Sequence, residues 1–292
     1  MRTKIKATAL LLCAALLTVG CKKSPNSSSS VRSTVSSQSA VSDNTSSAVS
    51  SAEPVPSSEP IASAVSEPPA ESTVSKAPQP ASKPETTPAQ EKAAKYGAVF
   101  IAPQSNNVYL TFDLGYENGY TAKILDTLKK KNAKEIFFVT MGYCEKSPEI
   151  VARIINEGHI LGNHSVSYKS FPTLTVAEMK KEIQGLHDYI KTEYGYEMLL
   201  FRPPMGEYSV RSLAVAQSLG YQRMNWSFAY KDWDTKSQPD EAAAKQKMLN
   251  DVHGGAIYLI HAVSKTNAAV LGDVIDGIRA KDFEIAELPH NS

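Results

Sequence analysis

Four side chains in this sequence are of the types that carry out or support proton transfer and cation binding, and each follows a short apolar run. Asp113 follows Val108-Tyr109-Leu110-Thr111-Phe112, and His164 follows Ile160-Leu161-Gly162-Asn163. Arg202 follows Met198-Leu199-Leu200-Phe201, and His261 follows Tyr258-Leu259-Ile260. Carboxylate and imidazole are the common general base and acid, and imidazole is also the commonest metal ligand. Singly the signals are weak. An aspartate after a strand commonly caps a loop, and a lone histidine at a strand end is more often structural than a ligand. The specificity lies in their joint appearance at successive strand ends, with Arg202-Pro203-Pro204-Met205-Gly206 between them.

The elements that must position these residues alternate along the chain. Val108–Phe112, Ile136–Val139, His159–Gly162, Met198–Phe201, Tyr221–Trp226, Ala256–Ile260 and Phe283–Glu287 read as strands. Helical spacing fills the gaps. Tyr120–Lys131 carries Ile124, Leu125 and Leu128 on one face. A helix opening at Ser147-Pro148-Glu149 carries Ile150, Val151, Ile154 and Ile155. Thr175 with Glu178 forms a capping box for a helix running to about Tyr194, and Ser147 offers a capping hydroxyl before Pro148. Further helices cover Val210–Leu219, Glu241–Val252 and Asn267–Ala280. Repeated strand-then-helix units imply a parallel sheet. About seven of them suit an irregular (β/α) barrel of the α/β class, whose chemistry lies at the C-terminal rim of the strands.

Longer segments around these positions carry a family resemblance. Tyr96-Gly97-Ala98, Thr111-Phe112-Asp113-Leu114-Gly115-Tyr116-Glu117-Asn118-Gly119-Tyr120-Thr121, Asn163-His164-Ser165, Phe201-Arg202-Pro203-Pro204, Lys231-Asp232-Trp233-Asp234 and Leu259-Ile260-His261-Ala262-Val263-Ser264-Lys265 resemble the polysaccharide deacetylases. The nearest branch is the delta-lactam-biosynthetic, muramic acid de-N-acetylase one, and the likeness runs from about Tyr96 to Leu288. The resemblance implies hydrolysis of the N-acetyl amide of amino sugars in peptidoglycan. It makes Asp113 the general base and His261 the general acid. Arg202 orients the base, Asp232 holds that arginine, and Pro203 and Trp233 line the substrate groove. It also implies a divalent cofactor, zinc or similar, with His164 as one ligand. The family patterns T-F-D-D-G and H-S-x-x-H place two more ligands where this chain has Leu114 and Tyr168. Leucine has no donor atom, and a phenol with a pKa near 10 ligates only as phenolate. Glu117, on the same rim, is either a substitute ligand or a hydrogen-bonded loop residue. His159 precedes its strand and belongs at the opposite end. Two functions follow as expectations: a peptidoglycan deacetylase with a degraded metal site, or a non-catalytic glycan-binding protein that keeps the groove.

The remainder of the chain places this domain. Of 292 residues with a net charge of +1, none forms the basic field that nucleic acid would require. Cys13, Cys21 and Cys144 leave no disulfide framework. Arg2, Lys4 and Lys6 precede an apolar run, Ala7–Leu17, too short to span a bilayer. Thr18-Val19-Gly20-Cys21 resembles a lipobox, with Cys21 as the lipidated residue, so residues 1–21 read as a lipoprotein signal. The expected location is the outer face of a bacterial cell membrane, held by acyl chains worth about 0.8 kcal/mol per buried CH2. Residues 22–95 are rich in Ser, Pro, Ala and Thr, with no aromatic residue. They read as a disordered tether with an average span of roughly 45–50 Å. Residues 96–292 form the domain.

Overall fold

The computed structural model describes residues 84–103 and 106–286. The segment expected to be a signal, Cys21 and most of the Ser/Pro/Ala-rich segment lie outside the described residues. The strands are β1 (Ala98–Val99), β2 (Asn107–Leu114), β3 (Ile136–Val139), β4 (Ile160–Asn163), β5 (Leu200–Phe201), β6 (Gln222–Met224), β7 (Phe228–Ala229), β8 (Ala256–His261) and β9 (Glu284–Ile285). They pair in parallel in the order β1-β6-β5-β4-β3-β2-β8-β7, and β9 joins the start of β2. Among the described residues no pairing closes β7 onto β1, so the sheet curls into an open barrel.

Helices cover the outside: α1 (Pro88–Ala94), α2 (Thr121–Lys130), α3 (Met141–Lys146), α4 (Pro148–Asn156), α5 (Val176–Tyr194), α6 (Val210–Ser218), α7 (Glu241–Asn250) and α8 (Lys265–Arg279). The expected irregular (β/α) barrel is what the chain forms. The Thr175–Glu178 capping box opens α5, whereas the Ser147 side chain makes no capping bond and Pro148 alone sets the first turn of α4. The predicted strands at 198–201 and 221–226 shorten to β5 and β6, because only those residues meet a neighbour in register. Helix α1 lies within the segment read as tether. Thr87 and Gln90 cap it reciprocally, and Ala93 is buried with Ala98, Phe100 and Leu213. The folded unit therefore starts before Lys95.

Side chains alternate across a strand, and this parity sorts the core. Val108, Leu110, Phe112 and Leu114 of β2 share one apolar layer with Phe137, Val139 and the inner faces of the helices. Tyr109 of β2 lies in the barrel interior with Ile136, Phe138, Met224 and Ile257. Asp113 has the parity of Tyr109 and belongs to the interior side; Leu114 belongs to the helix side.

Candidate active site

Asp113, His164, Arg202 and His261, far apart in sequence, meet at the C-terminal rim. In-register pairing sets Asp113 of β2 beside His261 of β8, and Asn163 of β4 beside Phe201 of β5. Arg202 and His164 each follow their strand by one residue. Arg202 is fully buried. Its Nη1 donates to Asp113 Oδ1 at 2.7 Å, while Nε and Nη2 donate to the carbonyls of Met224 and Asn225, both at 3.1 Å. The guanidinium also stacks 4.1 Å from the Phe138 ring centre. Such a cation, with its donors satisfied, holds its partner in one geometry. Burial pushes the Asp113 carboxyl up, but the charges of Arg202, His164 and His261 outweigh it and hold the pKa below the ordinary value. Asp113 is thus an ionised base with a fixed orientation.

The carboxylate expected on Arg202 sits elsewhere. Asp232 accepts from His261 Nδ1 and from the His261 backbone N–H, both at 2.7 Å. Asp232 lies in the loop after β7 and bonds the acid, so the acid, not the arginine, receives this support. Burial pulls the His261 pKa down, but Asp232 and Asp113 outweigh it and raise it above the ordinary value. The protonated form of His261 is thereby favoured over that of an ordinary imidazole, with Nδ1 committed to Asp232 and Nε2 left for the groove.

That groove has a volume of about 750 Å³ and is lined by Asp113, Tyr116, His164, Tyr168, Met205, Trp226, Trp233 and His261, among others. Trp233 is half exposed and sets its ring edgewise on His261, with centroids 5.7 Å apart. Pro203 does not line the groove. It is buried, and the turn that follows swings Met205 in instead, at φ 57°. Gly206 completes the turn at φ 69°, where a Cβ would collide with Trp226. Tyr116, Met205 and Trp226 are groove residues that sequence reasoning did not single out. Their only signal is an apolar side chain placed one or a few residues past a strand.

A divalent ion fits these residues poorly. His164 Nδ1 lies 2.8 Å from the Arg202 carbonyl, which can only accept, so neutral His164 carries its proton on Nδ1. The bare Nε2 faces Asp113 Oδ2 at 3.3 Å and is buried without a hydrogen bond. The Asp113 carboxylate is already paired with Arg202. Leu114 does not border the groove at all; it is fully buried on the helix side. The Tyr168 ring packs edgewise on His164, with centroids 5.1 Å apart. Burial and the charge of Asp113 raise its phenol pKa, so it stays protonated rather than offering a phenolate. Glu117 is not a substitute ligand. Its Oε1 accepts from the N–H groups of Gly119 and Tyr120, at 2.6 and 3.1 Å, capping α2, while Oε2 holds the Tyr143 hydroxyl at 2.7 Å. His159 lies at the far end, accepting from the Glu135 N–H. Among the described residues no three His, Cys, Asp or Glu side chains converge to hold a metal, fewer than a zinc site needs.

Comparison with known proteins agrees with the fold. A family model described as polysaccharide deacetylase matches residues 101–224. The muramic acid deacetylase PdaA of Bacillus subtilis, a peptidoglycan-N-acetylmuramic acid deacetylase by name, is 38% identical over 191 residues, covering 65% of this chain and 73% of that protein. An uncharacterised 30.6 kDa protein of Geobacillus stearothermophilus is 41% identical over 196 residues, covering 66% of this chain and 74% of its own. The solved structure of B. subtilis PdaA, a family 4 carbohydrate esterase, superposes with a TM-score of 0.67 at 36% identity, covering 71% of this chain and 88% of that one. With the parallel strand order and this extent of likeness in agreement, the chain belongs to the polysaccharide deacetylase family.

Proposed function

We propose that this protein hydrolyses the N-acetyl amide of amino sugars in peptidoglycan, with muramic acid as the sugar, at the outer face of the cell membrane. One observation carries the reading. A carboxylate held ionised and an imidazole whose protonated form is favoured face one groove, and each is oriented by its own buried partner, Arg202 for Asp113 and Asp232 for His261. The relationship to PdaA supports the choice of muramic acid. Trp233 and Tyr116 offer flat apolar faces for a sugar ring.

Asp113 takes a proton from a water that attacks the acetyl carbonyl carbon. A tetrahedral intermediate forms. It collapses as the C–N bond breaks, and His261 Nε2 delivers its proton to the departing nitrogen. Acetic acid, which ionises to acetate, and a free amine leave; the proton on Asp113 returns to solvent, and His261 takes one back. Acid and base each contribute on the order of 100- to 10,000-fold. No step is assigned to a metal. The protonated Tyr168 hydroxyl borders the same groove and is a hydrogen-bond donor available to the substrate.

A second reading, a glycan-binding protein without turnover, is favoured by the burial of His164 Nε2 and the packing of the Tyr168 ring against that imidazole. Acetate release from N-acetylated peptidoglycan separates the two. Release by wild type, lost in Asp113→Asn, supports the enzyme. Retention of the glycan with no acetate above the Asp113→Asn level supports the binder. Location is tested with Cys21→Ala, which removes the proposed lipid attachment. The variant should shed into the medium while wild type stays with membranes, and equal shedding would refute anchoring.

A further inference from the structure

Behind His261 runs a buried chain of polar side chains that proton transfer itself does not require. Besides its two bonds from His261, Asp232 accepts from Asn267 Nδ2 at 2.6 Å, on the same Oδ2 that takes the His261 N–H. Asn267 stands in the first turn of α8, and its Nδ2 also donates to the His261 carbonyl at 3.1 Å. Its Oδ1 accepts from the Tyr230 hydroxyl, and its backbone N–H is taken by Ser264 Oγ at 3.1 Å. Asp232 and Asn267 are both almost completely buried. Two of the acceptors that Asn267 faces, a carboxylate and a carbonyl, can only accept. Its amide therefore has one permitted orientation. A carboxylate on a loop is otherwise free to turn about its last torsion, which is broad and roughly two-fold. Asn267 adds a second hold on Oδ2 beside the His261 N–H and so narrows that freedom, and Oδ1 is left pointing at His261 Nδ1.

We propose that Asn267, steadied by Tyr230, is a positioning residue for the general acid: it locks Asp232 so that the imidazole keeps Nδ1 on the carboxylate and Nε2 aimed into the groove. The role of His261 as acid is that of the preceding section, but the lock itself is readable without turnover. The charged groups facing His261 are Asp232, Asp113 and Arg202, and His164 lies on the same rim. Asp113, Arg202, Asp232 and His164 all remain when Asn267 or Tyr230 is replaced.

The test is a side-chain NMR titration of His261 in the full chain, as wild type, Asn267→Leu and Tyr230→Phe. A loosened Asp232 turns away from Nδ1, and the imidazolium loses its partner. The midpoint of His261 should fall by about one pH unit or more in Asn267→Leu, and by less in Tyr230→Phe. His187, far from the network, should not move. A purely electrostatic role gives the opposite sign, because losing a donor makes Asp232 more basic and lifts the midpoint. An unchanged or raised midpoint therefore overturns the proposal. Should Asn267→Leu fail to fold, Tyr230→Phe decides alone, with a fall supporting the lock and no change refuting it. With N-acetylated glycan as substrate, kcat should drop roughly 10- to 100-fold at unchanged KM, as outer-shell losses do in other sites. If wild type releases no acetate, the enzymatic reading fails while the midpoint still decides the lock.

Discussion

Asp113 spends its two oxygens differently. Oδ1 is fixed by Arg202 at 2.7 Å, and Oδ2 lies 3.3 Å from a nitrogen lone pair of His164. His261 has the complementary charge state, so activity needs Asp113 ionised and His261 protonated. The Asp113 pKa is lowered from 3.8 and that of His261 is raised from 6.5. Activity should therefore be lost as pH falls below 3.8 toward the lowered Asp113 value. It should also be lost as pH rises above 6.5 through the raised His261 value. A profile of kcat/KM against pH with its basic limb below 6.5 would contradict the assignment of His261. Stability follows the same signs. The Asp113 contribution is full above its ordinary value and disappears on acidification, whereas the His261 contribution is full below 6.5 and disappears on alkalinisation. Metal capture belongs to this scale as well. Calorimetry of wild type with zinc, cobalt or manganese should show no site tighter than about 1 μM, a level needing about 8 kcal/mol of binding energy. Tyr168→His adds a second imidazole beside His164 and should raise cobalt affinity at least tenfold. Tight stoichiometric binding by wild type, lost in His164→Ala, would show that the rim holds an ion after all.

At the scale of the element, strand β2 decides what each of two adjacent positions can do. Asp113 faces the rim and interior; Leu114, one residue on, faces the layer between sheet and helices. A donor introduced at 114 does not reach the groove on this backbone. Leu114→Asp should instead bury a carboxylate among apolar groups, at a cost of about 3 kcal/mol or more. The melting temperature should fall by roughly 6–12 °C at pH 8. The loss should shrink near pH 4, because a buried acid with a raised pKa is tolerated once protonated. A variant that melts like wild type at both pH values, and gains metal affinity, would mean that β2 can turn this residue inward. The loop from His164 to Tyr168 shows the same precision of placement. Ser165 and Tyr168 take φ of 73° and 56°, and Glu182 of α5 accepts the Ser167 N–H at 2.7 Å. Strained residues persist where their surroundings over-determine them, and here the result is the Tyr168 ring seated on His164.

For the molecule as a whole, the start of the folded unit lies before the aromatic residues that announce it. Helix α1 is capped, buries Ala93, and leads into β1, which pairs with β6. Arg223 of β6 donates to the carbonyls of Tyr221 and Tyr96, and a Cβ at Gly97, where φ is 72°, would collide with its guanidinium. The entry of the chain is thus clamped to the edge of the barrel. A protein starting at residue 84 should melt within about 2 °C of one carrying the whole leader-free chain. One starting at Tyr96 should melt lower by roughly 4–8 °C, the equivalent of about 2 kcal/mol at this size. Equal melting of the two would show that α1 contributes nothing to the fold and would return the boundary to Lys95.

The sequence by itself determined the alternation of strands and helices, and hence the barrel, because hydrophobic periodicity is local and survives in any tertiary context. It also determined which residues stand at strand ends, so Asp113, His164, Arg202 and His261 were legible as one set. Trp233 was legible too, through the resemblance, and is found in the groove. What the sequence left open depends on direction rather than identity. Whether Asp232 serves Arg202 or His261 turns on which way a loop folds back. Whether Leu114 borders an ion or packs against helices turns on the parity of one strand. Glu117 reads as a ligand or a hydrogen-bonded loop residue until the start of α2 is placed around it, and Pro203 reads as a groove wall until the next turn swings Met205 in. The Asn267–Tyr230 support behind His261 joins residues of different elements through side-chain hydrogen bonds, and no local pattern encodes such a meeting. Only the packed chain decides it.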